Sequence, residues 1–255
     1  MKNNNANKVS VIIPVFNASK FIKQTINSVL NQTYKNWEIL AIDDYSSDNS
    51  FEILKHYSSK EKRIKVLQNN KNLGAFAARN LGIKMSSGDY IAFLDSDDLW
   101  RKDKLEIQIN FMKERKCNFT YTGLTRFHKS LTGKEKIIKV PEKVNYNFLM
   151  TNTVIVTSTV VVNIKNIGSF QMENIYYDDY ILWLTLLKRE KFAYGINKPL
   201  MDYRILDDSL SRNKFKSAIK VYEIFHKNLN LSSLQAKYKF ILWAINSNLK
   251  YYFKY

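Results

Sequence analysis

Tyr90-Ile91-Ala92-Phe93-Leu94-Asp95-Ser96-Asp97-Asp98 is a short apolar run that ends abruptly in three carboxylates. An apolar run of this length reads as a buried strand of a parallel sheet, where both faces are covered. Ligands of open α/β sheets bind outside the carboxyl ends of the strands, which is where these acids emerge. Three negative charges so close together repel one another, and a cation offsets that repulsion. An all-oxygen donor set suits Mg²⁺ or Mn²⁺, ions that also hold the phosphates of a substrate. A solvated acidic turn after a strand is the other reading of a bare Asp-x-Asp, so the neighbouring segments decide between the two.

Working back from this strand, Val9 to Val15 reads as a first buried strand. A helix is expected from about Lys20 to Asn31, with Phe21, Ile22, Thr25, Ile26, Val29 and Leu30 as its inner stripe. Trp37 to Ile42 is a second strand ending in Asp43-Asp44, and Ser46, Ser47 and Asp48 cap a helix through Tyr57. Arg63 to Leu67 is a third strand. A turn-rich segment, Asn69 to Gly74, leads from it into a helix over Ala75–Met85. This alternation predicts βαβ units and a Rossmann-like, mostly parallel sheet flanked by helices.

Working forward, a helix is expected over Leu105–Lys113 and a strand over Asn118–Thr122. Gly123 to Val144 is Lys-rich and reads as a hairpin or mobile loop, with its Lys129–Lys143 part a solvated loop or a lid. Val154 to Val162 is β-branched almost throughout and reads as a strand. A helix over Asp178–Arg189 and strands within Phe192–Ile205 follow. The expected division is a main domain over 1–212, with ligand binding at the strand ends of about 9–100 and a second part over about 101–212. A helical appendage over 213–255 completes the chain.

Composition narrows the function. The 255 residues are 45% hydrophobic and 14% aromatic, ample for a packed core. A formal charge of +17 points to an anionic partner: phosphate-bearing substrate, membrane surface or nucleic acid. No nucleic-acid motif is present and the basic residues are spread along the chain, so no nucleic acid is expected. A single cysteine, Cys117, excludes an internal disulfide and suits a reducing cytoplasm. Met1 to Asn5 lacks the apolar core of a signal peptide, and no apolar run is long enough to span a bilayer. The basic, aromatic C-terminal pattern, Phe240, Ile241, Trp243, Ala244, Tyr251, Tyr252 and Phe253 among Lys237, Lys239, Lys250 and Lys254, allows two arrangements. It packs on the catalytic domain, or it lies on an anionic membrane surface, which puts the chain peripherally on the inner face of the plasma membrane.

The four strand ends converge. Phe16 offers an aromatic face for a base, Asp44 a hydrogen-bond acceptor, and Asp95, Asp97 and Asp98 metal and ribose contacts. Arg79 offers a planar fork toward the nucleotide. These segments, Val9–Asn17, Ile42-Asp43-Asp44-Tyr45-Ser46-Ser47-Asp48, Asn72-Leu73-Gly74 with Ala78–Gly82, and Leu94–Asp98, together resemble glycosyltransferase family 2. Asp178-Asp179-Tyr180-Ile181-Leu182-Trp183-Leu184 and Tyr203-Arg204 with Ser209-Leu210-Ser211 extend the resemblance to the family's bacterial cell-envelope members. The resemblance implies a GT-A fold and an inverting, metal-dependent transfer from a nucleotide-sugar, UDP-linked first of all. The implied acceptor is a glycan or a lipid-diphosphate-linked glycan.

It also implies roles. Asp44 binds uracil with Phe16 against it, Asp95 touches ribose, Asp97 with Asp98 holds the metal, and Asp179 is the catalytic base. Pro14, Asn17, Arg79 and Ser96 complete the donor-binding set. The sequence departs from the family pattern at Tyr45 (usually Gly), at Asp178 (usually Glu) and after Tyr203-Arg204, where no His follows. Two other readings start from the same residues. A haloacid-dehalogenase-like phosphatase also places Asp-x-Asp after a strand, but as its first strand. A non-catalytic basic nucleotide- or nucleic-acid-binding protein needs only the charge and the aromatic residues.

Overall fold

The computed structural model describes residues 7–128, 136–206 and 214–249. The first half forms four strands and three helices in alternation: β1 (Val9–Val15), α1 (Ile22–Leu30), β2 (Trp37–Asp43), α2 (Ser50–Lys60), β3 (Ile64–Gln68), α3 (Ala75–Met85) and β4 (Tyr90–Phe93). Then come β5 (Leu99–Trp100), α4 (Lys104–Arg115), β6 (Phe119–His128), β7 (Lys136–Ile138), β8 (Lys143–Val144), α5 (Tyr146–Thr151), β9 (Val161–Asn163) and α6 (Ile164–Ile167). The chain continues through α7 (Asp178–Arg189), β10 (Ala193–Ile205), α8 (Lys214–Glu223) and α9 (Ser233–Leu249).

All ten strands join one sheet, whose main path runs β3-β2-β1-β4-β9-β6-β10-β5, with β7 on β6 and β8 on β10. The six longer strands point the same way, and the four short ones, β5, β7, β8 and β9, run against them. The strand order reverses between β1 and β4. Their carboxyl ends therefore open the crevice in which α/β folds bind ligands.

Side-chain alternation sorts the core into two layers. Val9, Val11, Ile13 and Val15 of β1 face α1, α2 and α4, packing with Ile22, Ile26, Val29, Leu54, Leu105 and Ile109. Ile12, with Leu40, Ile42, Ile91 and Phe93, faces α3 and α7. That second layer is continuous with Val221, Phe225 and Ala236 of the C-terminal helical segment. Trp183 is its largest member, its ring 5.7 Å from Phe93 and 5.5 Å from Phe119.

Two expectations change here. Val154 to Val162 is not one strand: a single 3₁₀ turn occupies Thr157–Thr159 and only Val161–Asn163 pairs with β4 and β6. Thr159 Oγ1 donates to Val156 O and the Thr157 and Ser158 hydroxyls go to neighbouring acids, so side-chain bonding takes the backbone out of the ladder. The strand expected over Asn118–Thr122 continues to His128, and β7 folds back on it as a hairpin. The expected boundary at 213, the Ser209-Leu210-Ser211 segment, residues 129–135 of the Lys-rich tract and the tail beyond Leu249 lie outside the described residues.

Replacing Trp183 by Ala should cost about 3–5 kcal/mol, the range for emptying a buried aromatic site. Its indole N–H has no hydrogen-bond partner among the described residues. Trp183→Phe should therefore cost much less, because it removes an unsatisfied donor together with the lost volume. Equilibrium unfolding in urea measures both, and equal losses for the two variants would contradict this account.

Candidate active site

The donor side is built by two loops stitched together. After β1 the chain turns sharply at Asn17, and after β2 at Tyr45, both with left-handed backbone (φ 49° and 65°). Asn17 N donates to Ser46 Oγ at 3.0 Å, and Ser47 N donates to Asn17 Oδ1 at 2.8 Å. Ala18 N reaches Ser50 Oγ and Ser19 N reaches Asp48 Oδ2. This net leaves Phe16 and Tyr45 projecting, 48% and 57% exposed. Pro14 is buried within β1, and Phe16 and Asn17 follow the end of that strand.

Asp44 is buried, and its carboxylate holds the turn before α3. Oδ1 accepts from Asn69 Nδ2 at 2.7 Å and Leu73 N at 3.0 Å, and Oδ2 accepts from Gly74 N at 2.7 Å. Gly74 has φ 90°, a conformation that suits glycine and lets its N–H point back at the acid. An ionised carboxylate offers about four lone-pair sites. Three protein donors leave it room for one more bond, such as a base N–H. Asp44 thus shapes the turn before α3, a task that the sequence did not suggest.

The three acids after β4 have separate surroundings. Asp95 pairs with Arg79 at 2.7 Å, and its N–H donates to Ser158 Oγ. Asp98 is 1% exposed. Its Oδ1 accepts from Arg204 N at 3.1 Å and its Oδ2 accepts from Ser158 Oγ at 2.7 Å. Both oxygens of Asp98 are thus hydrogen-bonded inside the protein. Asp97 is the acid left over. Its carboxylate accepts from its own backbone and, among the described residues, from no other donor. Burial and the neighbouring Asp95 raise its pKa to about 6. Ser96 sits between them, and its carbonyl accepts from Thr25 Oγ1.

Arg79 lies among these acids. It is 7% exposed, and its two terminal nitrogens bridge Asp95 and Asp178, the latter at 3.2 Å. Both ends of its planar fork are thus paired with carboxylates of the protein. Burial pushes Asp178 up to about 6 against the pull of Arg79. Asp179, the next residue of α7, turns elsewhere: Oδ2 accepts from Thr157 Oγ1 at 2.6 Å and Oδ1 from Tyr180 N at 2.7 Å. Consecutive helical residues point about 100° apart, so the two acids have distinct partners.

Thr157, Ser158 and Arg204 emerge as site residues only here. The 3₁₀ turn ties Asp179, Asp98 and Asp95 to one short segment. The run Thr157-Ser158-Thr159 was the available signal, since consecutive hydroxyl residues favour side-chain-bonded turns over strands. Arg204 donates Nε to Asp97 O at 2.8 Å and reaches Gln24 Oε1 at 2.7 Å, its guanidinium between the rings of Phe21 and Phe127.

Among the described residues no three His, Cys, Asp or Glu side chains gather as a metal cage. The donor set instead fits an ion of the Mg²⁺ type that takes one protein carboxylate, Asp97, and fills its shell with water and substrate phosphate oxygens.

Comparison with known proteins gives consistent matches. The family Glycosyl transferase family 2 matches residues 10–167. TuaG of Bacillus subtilis (strain 168), named for a teichuronic acid biosynthesis glycosyltransferase, is 40% identical over 94% of this chain and 95% of its own. WfgD of Escherichia coli, a UDP-Glc:alpha-D-GlcNAc-diphosphoundecaprenol beta-1,3-glucosyltransferase, is 40% identical over 85% of this chain and 84% of its own. Among solved structures, S. aureus TarS 1-349 in complex with UDP-GlcNAc superposes with a TM-score of 0.68 at 19% identity, covering 97% of this chain and 73% of that one. The mannosyltransferase PcManGT from Pyrobaculum calidifontis, in complex with GDP-Man and Mn²⁺, also gives 0.68, at 13% identity over 94% and 74%. The fold is GT-A.

The left-handed backbone at Tyr45 generates a stability prediction. A side chain there costs roughly 1–2 kcal/mol, which glycine avoids. Tyr45→Gly should raise unfolding stability by about 1 kcal/mol, the unfolded-state entropy of glycine offsetting part of the gain. A fall in the denaturation midpoint would mean that the Tyr45 ring stabilises the loop by more than its backbone costs.

Proposed function

Since the chain belongs to glycosyltransferase family 2 and is a glycosyltransferase, we propose that it moves a hexose or N-acetylhexosamine from a UDP-sugar to a lipid-diphosphate-linked glycan. The transfer serves cell-envelope polysaccharide synthesis. The observation that carries the proposal is the pairing of Asp179 with Thr157 beside the buried Asp95–Arg79–Asp178 bridge, which joins the nucleotide half to the acceptor half. The names of TuaG and WfgD support the substrate class.

In this reading the uracil lies against Phe16 and donates to Asp44, and the ribose reaches Asp95. The acceptor hydroxyl attacks the anomeric carbon in line. Its proton passes to Asp179 as the new C–O bond forms. The bond from the anomeric carbon to the diphosphate breaks, and its electron pair leaves on the nucleoside diphosphate. A divalent ion at Asp97, when bound, offsets the charge growing on that leaving group. Arg79 keeps Asp95 and Asp178 from repelling each other and holds the first turn of α7 in place. Thr157 aims the Asp179 carboxylate. The unit over 1–212 does the chemistry, and the described helical segment that follows docks on it through Val221, Phe225 and Ala236.

Asp179→Asn should lower kcat by roughly 10²–10⁴ while calorimetry finds UDP affinity nearly unchanged. Thr157→Val should lower kcat less, without changing the acceptor KM. Near wild-type turnover in Asp179→Asn would move the base to another acid. Transfer should also stop in excess EDTA and return with Mn²⁺, and activity that persists under chelation would remove the ion from the mechanism.

A further inference from the structure

Helix α9 has apolar residues on two opposite sides. Inward, Ala236 is fully buried, Phe240 and Trp243 pack on the core, and Asn246 Nδ2 donates to Thr151 O at 3.2 Å. Outward, Leu234, Tyr238, Ile241 and Ile245 fall along one line at about 100° per residue, roughly opposite the first set. They are 82%, 61%, 55% and 48% exposed. Scattered exposed apolar side chains are ordinary, whereas four in register over three turns form a continuous stripe.

The charge of the C-terminal sequence is one-sided. Helix α9 contains Lys237 and Lys239 and no acid. Lys237, itself exposed, lies on the turn between Leu234 and Ile241. From Lys214 to the end of the chain there are eight lysines against a single acid, Glu223. No helix among the described residues is long and apolar enough to cross a membrane. A partly apolar helix with a basic surround suits the boundary between headgroups and acyl chains, where Leu, Ile and Tyr side chains enter and lysines meet anionic lipid.

We propose that the Leu234–Tyr238–Ile241–Ile245 stripe seats the protein on an anionic bilayer surface, while the opposite face of α9 stays docked on the catalytic core. The two arrangements open to the C-terminal pattern then hold at once, one on each side of the helix. The inference goes beyond the donor and acceptor reading and does not rest on it.

Vesicle sedimentation of the full chain tests it, comparing phosphatidylcholine vesicles with and without about 30% phosphatidylglycerol. The wild type should sediment with the anionic vesicles and stay in solution with the neutral ones. Leu234→Glu/Ile241→Glu should weaken that partition at least about tenfold. Its melting midpoint and its transfer to a water-soluble acceptor should be unchanged. The milder Leu234→Ser/Ile241→Ser pair should fall between the two. Equal sedimentation of wild type and variants, or no binding by the wild type, overturns the proposal. So does a wild-type dimer in light scattering that the Glu pair splits into monomers, because the stripe is then the seat of a second copy.

Discussion

Arg79 is the group on which the site depends. A guanidinium almost sealed from water is tenable only when carboxylates face it, and Asp95 and Asp178 supply them from two separate parts of the chain. Asp178 in turn needs the arginine, since burial alone drives it toward its neutral form. The pairing makes α3, the end of β4 and the start of α7 mutually necessary. Removing one partner of such a buried set costs about 3–5 kcal/mol, more than most surface interactions supply together. The three elements are thus held in fixed relation to one another.

Much of this was legible in the sequence because local rules and global structure agree. Strand β1 begins and ends at Val9 and Val15 as read. Helices α3 and α7 match their expected limits of Ala75–Met85 and Asp178–Arg189, where clear apolar periodicity coincides with Gly74 or the acidic pair at the start. The unread parts are those in which a side chain answers to a distant partner. Thr157 to Thr159 carries strand-forming residues, yet its hydroxyls are claimed by Asp98 and Asp179 from other elements. Asp97 and Asp98 are chemically identical neighbours, and only the approach of Ser158 and Arg204 N separates the buried one from the available one. Arg79 could be placed near the site but not assigned its partners, because Asp178 lies 99 residues away.

The mouth of the donor crevice shows a local cost accepted for geometry. Asn17 and Tyr45 both take left-handed backbone at the ends of adjacent strands, and the hydrogen bonds between their loops hold them there. Asparagine tolerates such a turn, because its short amide bonds locally; tyrosine does not. What the strained pair achieves is direction. The chain leaves each strand sharply, and the rings of Phe16 and Tyr45 end exposed instead of folding into the core.

Strand β9 has a consequence for how the molecule is made. It is three residues long and supplies the hydrogen bonds between β4 and β6. Strands β1 to β4 are parallel neighbours linked by single helices and can pair as soon as they are synthesised, but Val161 meets Ala92 at a separation of 69 positions. Until it arrives, β4 is an open edge with unpaired backbone groups, the kind of surface on which nascent chains join wrongly. The acids Asp95 to Asp98 follow that edge at once and load it with like charge. The same repulsion that burdens the finished crevice would keep two half-made chains apart on the ribosome.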